Sequence, residues 1–87
     1  MDLVQACGHI IKRLRKEKGW SQEELAHFSD LDRTYISLLE RGLRNPTLTT
    51  LFALASCLGY QANLFIKEIE TEMESNQGGG NIENNSI

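Results

Sequence analysis

The chain has 87 residues, 40% of them hydrophobic, with a single proline, which bounds it to one domain whose thin core needs well-packed helices or a partner subunit. Two cysteines, Cys7 and Cys57, are too few for a disulfide framework, no basic stretch followed by an apolar run opens the sequence, and no apolar stretch approaches the roughly 20 residues that span a bilayer; a reduced, cytoplasmic protein that avoids membranes is expected. The net charge of -3 looks wrong for a nucleic-acid partner, but residues 1–60 hold eight Lys/Arg against seven Asp/Glu while residues 61–87 hold one Lys and five Glu, so the excess acid sits in the C-terminal third and local basic clusters remain.

Five short helices and a tail follow from the periodicity, with no alternation long enough for a sheet. The first helix is expected over Asp2 to Lys18, with Leu3, Val4, Cys7, Ile10, Ile11 and Leu14 on one stripe and Gly19 as its stop. Ser21 and Glu24 form an S-x-x-E capping box that starts a second helix ending near Phe28, with Leu25, Ala26 and Phe28 available for packing. Trp20 is expected to pack between these two helices. After the turn Ser29-Asp30-Leu31, Asp32 caps a third helix running from Arg33 to about Arg41, with Gly42 as its stop. Thr47 caps a fourth helix that ends before Gly59 and turns Leu48, Leu51, Leu54, Ala55 and Leu58 inward. The fifth is expected over Ala62 to Glu74, with Phe65, Ile66, Ile69 and Met73 on one face and Glu68, Glu70, Glu72 and Glu74 mostly solvated. The domain is thus drawn at 1–74, and 75–87 reads as a disordered polar tail because it has almost no apolar content.

Two short helices joined by a tight turn match a helix-turn-helix unit. Its functional test is whether the third helix keeps a face free. With Ile36, Leu39 and Leu43 directed at the core, the opposite face carries Thr34, Ser37, Leu38 and Arg41, flanked by Arg33 and Tyr35. In such a unit the N-terminal part of the second helix reaches base edges in the major groove. Arg33 suits guanine O6 and N7, Thr34 and Ser37 suit a base or a phosphate, and Leu38 suits a thymine methyl or simple packing. Gln22, Tyr35, Arg41, Arg44 and Asn45 suit phosphates, with packing and a wet hydroxyl as the competing role of Tyr35.

The combination Arg15…Trp20-Ser21-Gln22-Glu23-Glu24-Leu25-Ala26…Ile36-Ser37-Leu38-Leu39-Glu40-Arg41-Gly42…Asn45-Pro46-Thr47-Leu48…Leu51…Leu54-Ala55…Leu58-Gly59 resembles the Cro/repressor-type helix-turn-helix transcription regulators over about residues 8–74. The resemblance implies an all-α, five-helix repressor-like domain, usually a homodimer, bound to a double-stranded palindromic operator. It also implies DNA-facing positions for Gln22, Arg33, Thr34, Tyr35, Ser37 and Leu38, and a partly buried ion pair between Arg15 and Glu40. Asp30 departs from the glycine common in that turn, though aspartate tolerates a left-handed backbone better than most residues. The stretch Leu31-Asp32-Arg33-Thr34-Tyr35-Ile36-Ser37, with Arg44-Asn45, also resembles controller proteins of restriction-modification systems.

Other features read more plainly. Lys12, Arg13, Lys16 and Lys18 read as a solvated face. Cys7-Gly8-His9 lacks the second ligand cluster of a metal site, so Cys7 reads as structural. No nucleophile–base pair, metal set or phosphate loop points to an enzyme or a cofactor. Phe65, Ile66, Ile69 and Met73 are expected both to close the core and to form an isologous dimer seam. The alternative function is an antitoxin, which would bind a toxin through the acidic fifth helix and tail; an adaptor binding only proteins is a third.

Overall fold

The computed structural model describes residues 1–75; of the expected tail 75–87, Ser75 is the last residue of the fifth helix and the rest lies outside the described residues. Its helices are α1 (Leu3–Glu17), α2 (Gln22–Ser29), α3 (Arg33–Glu40), α4 (Leu48–Cys57) and α5 (Ala62–Ser75). The fold class is all-α, with five helices among the described residues. No single described helix is long and apolar enough to cross a membrane.

The caps expected at Ser21, Asp32 and Thr47 all form, and Asp2, expected inside α1, caps it as well. Asp2 accepts from the Gln5 amide at 2.8 Å, and the Gln5 side chain accepts from the Asp2 amide in return. Ser21 and Glu24 close the same reciprocal box at 3.0 and 2.8 Å. Asp32 Oδ2 accepts from Thr34 at 3.0 Å, and Thr47 Oγ1 accepts from Thr50 at 3.1 Å. Each cap contributes about 1 kcal/mol by satisfying an amide that the helix leaves unpaired. α2 then ends on Asp30 at φ 60° and ψ 37°, the left-handed conformation for which aspartate substitutes for glycine.

α1 lies against α3 and α5, α2 packs on α3 and α4, and α4 packs on α5. Ile10, Ile11, Leu25, Ile36, Leu39, Leu54 and Phe65 are the largest fully buried side chains; each stabilises the fold by about 1.5–3 kcal/mol relative to its exposed state. Ala6, which the stripe analysis passes over, is wholly buried. Gly8 is buried too, and at close quarters. A Cβ there would stand 2.3 Å from the carbonyl oxygen of Leu39 and 2.8 Å from that of Glu40, so α1 meets the end of α3 backbone to backbone.

Several expected core residues are not in the core. Leu3, Leu43 and Leu48 are 56%, 58% and 69% exposed: Leu3 and Leu48 are the first residues of α1 and α4, and Leu43 lies in the loop past α3. Phe28 is also exposed and lies beside Trp20, with ring centroids 4.7 Å apart; Trp20 is only half-buried. The α5 carboxylates are not all solvated. Glu68 and Glu72 reach Arg13, and Glu72 also meets His9 at 3.2 Å. These contacts fasten α5 along α1 and withdraw Arg13 from the free basic face.

Candidate nucleic-acid interface

The turn between α2 and α3 is closed by its own backbone and by one hydroxyl. The Leu31 amide donates to the Ala26 carbonyl at 3.0 Å, and Ser29 Oγ donates to the Leu25 carbonyl at 2.6 Å. With Ile36 and Leu39 buried, the opposite side of α3 is fixed outward. Arg33 and Thr34 are exposed, Ser37 and Leu38 are half-buried, and Arg41, the C-cap residue, is exposed. Arg44 and Asn45 follow on an exposed loop. One contiguous surface thus presents a guanidinium and a hydroxyl at the start of the helix and two further guanidinium groups past its end.

Tyr35 is half-buried against the core. Its hydroxyl donates to Thr50 Oγ1 at 3.4 Å, and Thr50 also accepts from Thr47 Oγ1 at 3.0 Å. The ring therefore ties α3 to the start of α4, so the packing role is occupied and a phosphate contact by the same proton requires this long bond to break.

Behind the exposed face lies a buried ion pair. Arg15 Nε donates to Glu40 Oε2 at 2.7 Å and Nη2 donates to Oε1 at 2.9 Å. Arg15 Nη1 donates to the Trp20 carbonyl at 2.8 Å. The two side chains are 9% and 2% exposed, and the hydrogen bonds to Glu40 hold the Arg15 guanidinium above its ordinary pKa. The paired fork satisfies both charges and sets the angle between α1 and α3; such a pair specifies geometry more than it adds stability. Gln22 joins it, since Nε2 donates to Glu40 Oε1 at 3.0 Å. That tie was not legible in the sequence, because nothing local to Gln22 points to a residue eighteen positions on. One N–H of the amide remains for a partner outside.

Phe65 and Ile69, expected both to close the core and to line a dimer seam, are buried in the chain's own core at 0% and 2% exposure. α5 turns them inward against α1 and α4, which meets the core half of that expectation. Met73 is half-buried against the same core, and Ile66 alone of the four is exposed. Ile66 instead borders an apolar groove with Leu3, Leu51 and Pro46. Phe52 and Leu64 are exposed as well; neither was singled out by periodicity. Cys7 is buried, and burial pushes its thiol from 9.0 up to about 11, which suits an inert core residue.

A family profile described as helix-turn-helix matches residues 11–65. The uncharacterized HTH-type transcriptional regulator y4dJ of Sinorhizobium fredii is 49% identical over 59 residues, 68% of this chain and 77% of that protein. Control protein C.MunI of a Mycoplasma species is 44% identical over 72 residues, 82% of this chain and 97% of that protein. Among solved structures, the restriction-modification controller protein C.Esp1396I, as a tetramer in complex with its natural 35-base-pair operator, matches with a TM-score of 0.78 at 38% identity, over 85% of this chain and 97% of that chain.

Proposed function

The chain belongs to the helix-turn-helix family, and from that premise we propose that it is a sequence-specific DNA-binding transcription regulator, acting in the cytoplasm as a homodimer on a palindromic operator. The observation that carries this reading is the outward face of α3, where Arg33, Thr34 and Ser37 project from a helix whose other side is locked into the core. In this reading the start of α3 enters the major groove. Arg33 pairs with guanine, Thr34 and Ser37 contact base edges, and Leu38 lies against a thymine methyl. Gln22, Arg41, Arg44 and Asn45 hold the flanking phosphates, and Tyr35 joins them if its bond to Thr50 yields.

One short helix reads few base pairs, so two copies about 34 Å apart on a palindrome supply the missing specificity. The Ile66–Leu3–Leu51 groove and the exposed Leu48 and Phe52 are the apolar surface for the second copy. The solved relative on its operator supports a multimeric mode of action. The likeness to C.MunI and C.Esp1396I makes a restriction-modification locus the first place to seek the operator. The antitoxin reading loses part of its ground, because Glu68 and Glu72 are engaged within the chain.

Selection of bound fragments from random-sequence DNA, followed by titration at fixed salt, tests the proposal. Arg33→Ala should weaken binding to the selected site by about 1–3 kcal/mol per half-site and leave random DNA nearly unaffected. Equal losses on both duplexes would remove the base-reading role.

A further inference from the structure

We propose that Lys12 and Lys16 of α1, together with Arg41, form a second phosphate-binding strip that carries the DNA backbone past the C-terminal end of α3. The inference rests on the reading of α3 as the DNA-facing helix and adds a contact surface on α1, a helix outside the helix-turn-helix itself.

Two adjoining clefts run between α1 and the end of α3. One is bordered by Lys12, His9, Glu40 and Arg41, the other by Lys12, Lys16 and Glu40. Lys12, Lys16 and Arg41 are exposed, and among the described residues none of the three lies within ion-pair distance of a carboxylate. Glu40, which the clefts share, is already neutralised by Arg15, and Arg13 is held by Glu68 and Glu72. The clefts therefore keep their positive charge while the neighbouring acid and the neighbouring arginine are spoken for. Lys12 and Lys16 are also spaced i,i+4, where like charges repel along a helix; a polyanion lying across them relieves that repulsion.

The position suits DNA rather than an isolated anion. Glu40 is bonded to Gln22 on one side and borders the lysine clefts on the other. A phosphate at Gln22 and one at Lys16 would thus flank the same buried carboxylate, and Arg41 adjoins the far end of the strip. The three cations can follow a continuous backbone, whereas a small ion would engage only part of them.

Each lysine–phosphate contact contributes about 0.9 to the slope of log K against log salt. We expect Lys12→Gln with Lys16→Gln, which removes four lysines from the homodimer, to lower that slope by about 3.6, on both a selected duplex and a random duplex of equal length. Between 50 and 200 mM salt the unmodified dimer should then lose about 150-fold more affinity than the variant. The ratio of selected to random affinity should stay unchanged, since phosphate contacts carry no direct sequence information. Lys18→Gln with Lys67→Gln removes the same charge elsewhere and should leave the slope alone.

An unchanged slope for the Lys12/Lys16 variant, or an equal drop for the Lys18/Lys67 control, overturns the strip. So does a difference between variant and unmodified protein that vanishes when chloride is replaced by inorganic phosphate at equal ionic strength, which would assign the clefts to a free anion. If Arg33→Ala shows no specific loss while the slope falls as expected, it is the reading of α3 that fails and the strip that stands.

Discussion

Substituting Gly8 by alanine should destabilise the domain, although alanine is the better helix former. In a solvated helix the change gains about 1 kcal/mol. Here the new Cβ would sit 2.3 Å from the Leu39 carbonyl oxygen and 2.8 Å from the Glu40 oxygen, against an ordinary carbon–oxygen contact of about 3.3 Å or more. The obstructing atoms are backbone and cannot swing aside as a side chain does. The Leu39 carbonyl also accepts from the Gly42 amide at 3.1 Å, so moving it weakens the bond that ends α3. Overpacking of this kind costs about 1–3 kcal/mol, and the strained terminal bond adds about 1 kcal/mol. Set against the gain in propensity, a net loss of about 2 kcal/mol is expected, which corresponds to a fall in Tm of about 8–16 °C for a domain of this size. Thermal unfolding followed by circular dichroism, at one protein concentration because association shifts Tm, is the assay. A variant that melts with or above the unmodified protein would refute the backbone-to-backbone contact.

Three further outcomes follow from the same geometry. Glu40→Ala leaves the Arg15 guanidinium buried without its partner and should cost about 3–5 kcal/mol in urea unfolding, whereas Arg15→Met with Glu40→Leu should recover most of that loss; equal losses for both would mean that packing, not charge, sets the effect. Cys7 keeps its proton in the folded state up to about pH 11, while the unfolded thiol releases it near 9.0. Between those values the folded state binds more protons, so stability should be whole below about pH 9 and decline as pH rises toward 11; Cys7→Ala should flatten that decline in unfolding curves taken across the range. Ile66→Glu places a charge beside Leu3 and Leu51 and should shift sedimentation toward the monomer while leaving the helical content intact; an unaltered dimer would put the seam elsewhere.

The helices were legible because their signals are local. Asp2, Ser21, Asp32 and Thr47 each cap within three residues of their own position, and Asp30 takes the left-handed backbone that its place after α2 requires. The Arg15–Glu40 pair was legible through family likeness and through the position of both residues at the border of an apolar stripe. What failed depends on where one helix stops covering another. Leu3, Leu43 and Leu48 fit the right period and still face outward, since a stripe tells which side of a helix is apolar and not how far its neighbour extends. Phe65 and Ile69 show a related ambiguity: the same stripe suits a core and a seam, and the docking of α5 on α1 puts both in the core. Gly8 reads locally as a weak point of α1, yet it lies on the buried side with Ile11 and Arg15, and a glycine in that register is the signal that could have revealed the close approach.

Glu40 touches α1 through Arg15 and α2 through Gln22 while belonging to α3. Three helices are thereby pinned at one carboxylate, and the spacing between the start of α2 and the reading end of α3 becomes a fixed gauge. Such a gauge has no slack with which to accommodate a poorly shaped groove. If Gln22 holds a phosphate while α3 reads bases, as proposed, a duplex without the matching separation would have to take up the strain itself, which would favour flexible base steps even where no side chain touches them. A residue sealed away from the operator would in this way help to choose it, by denying the protein the freedom to adapt.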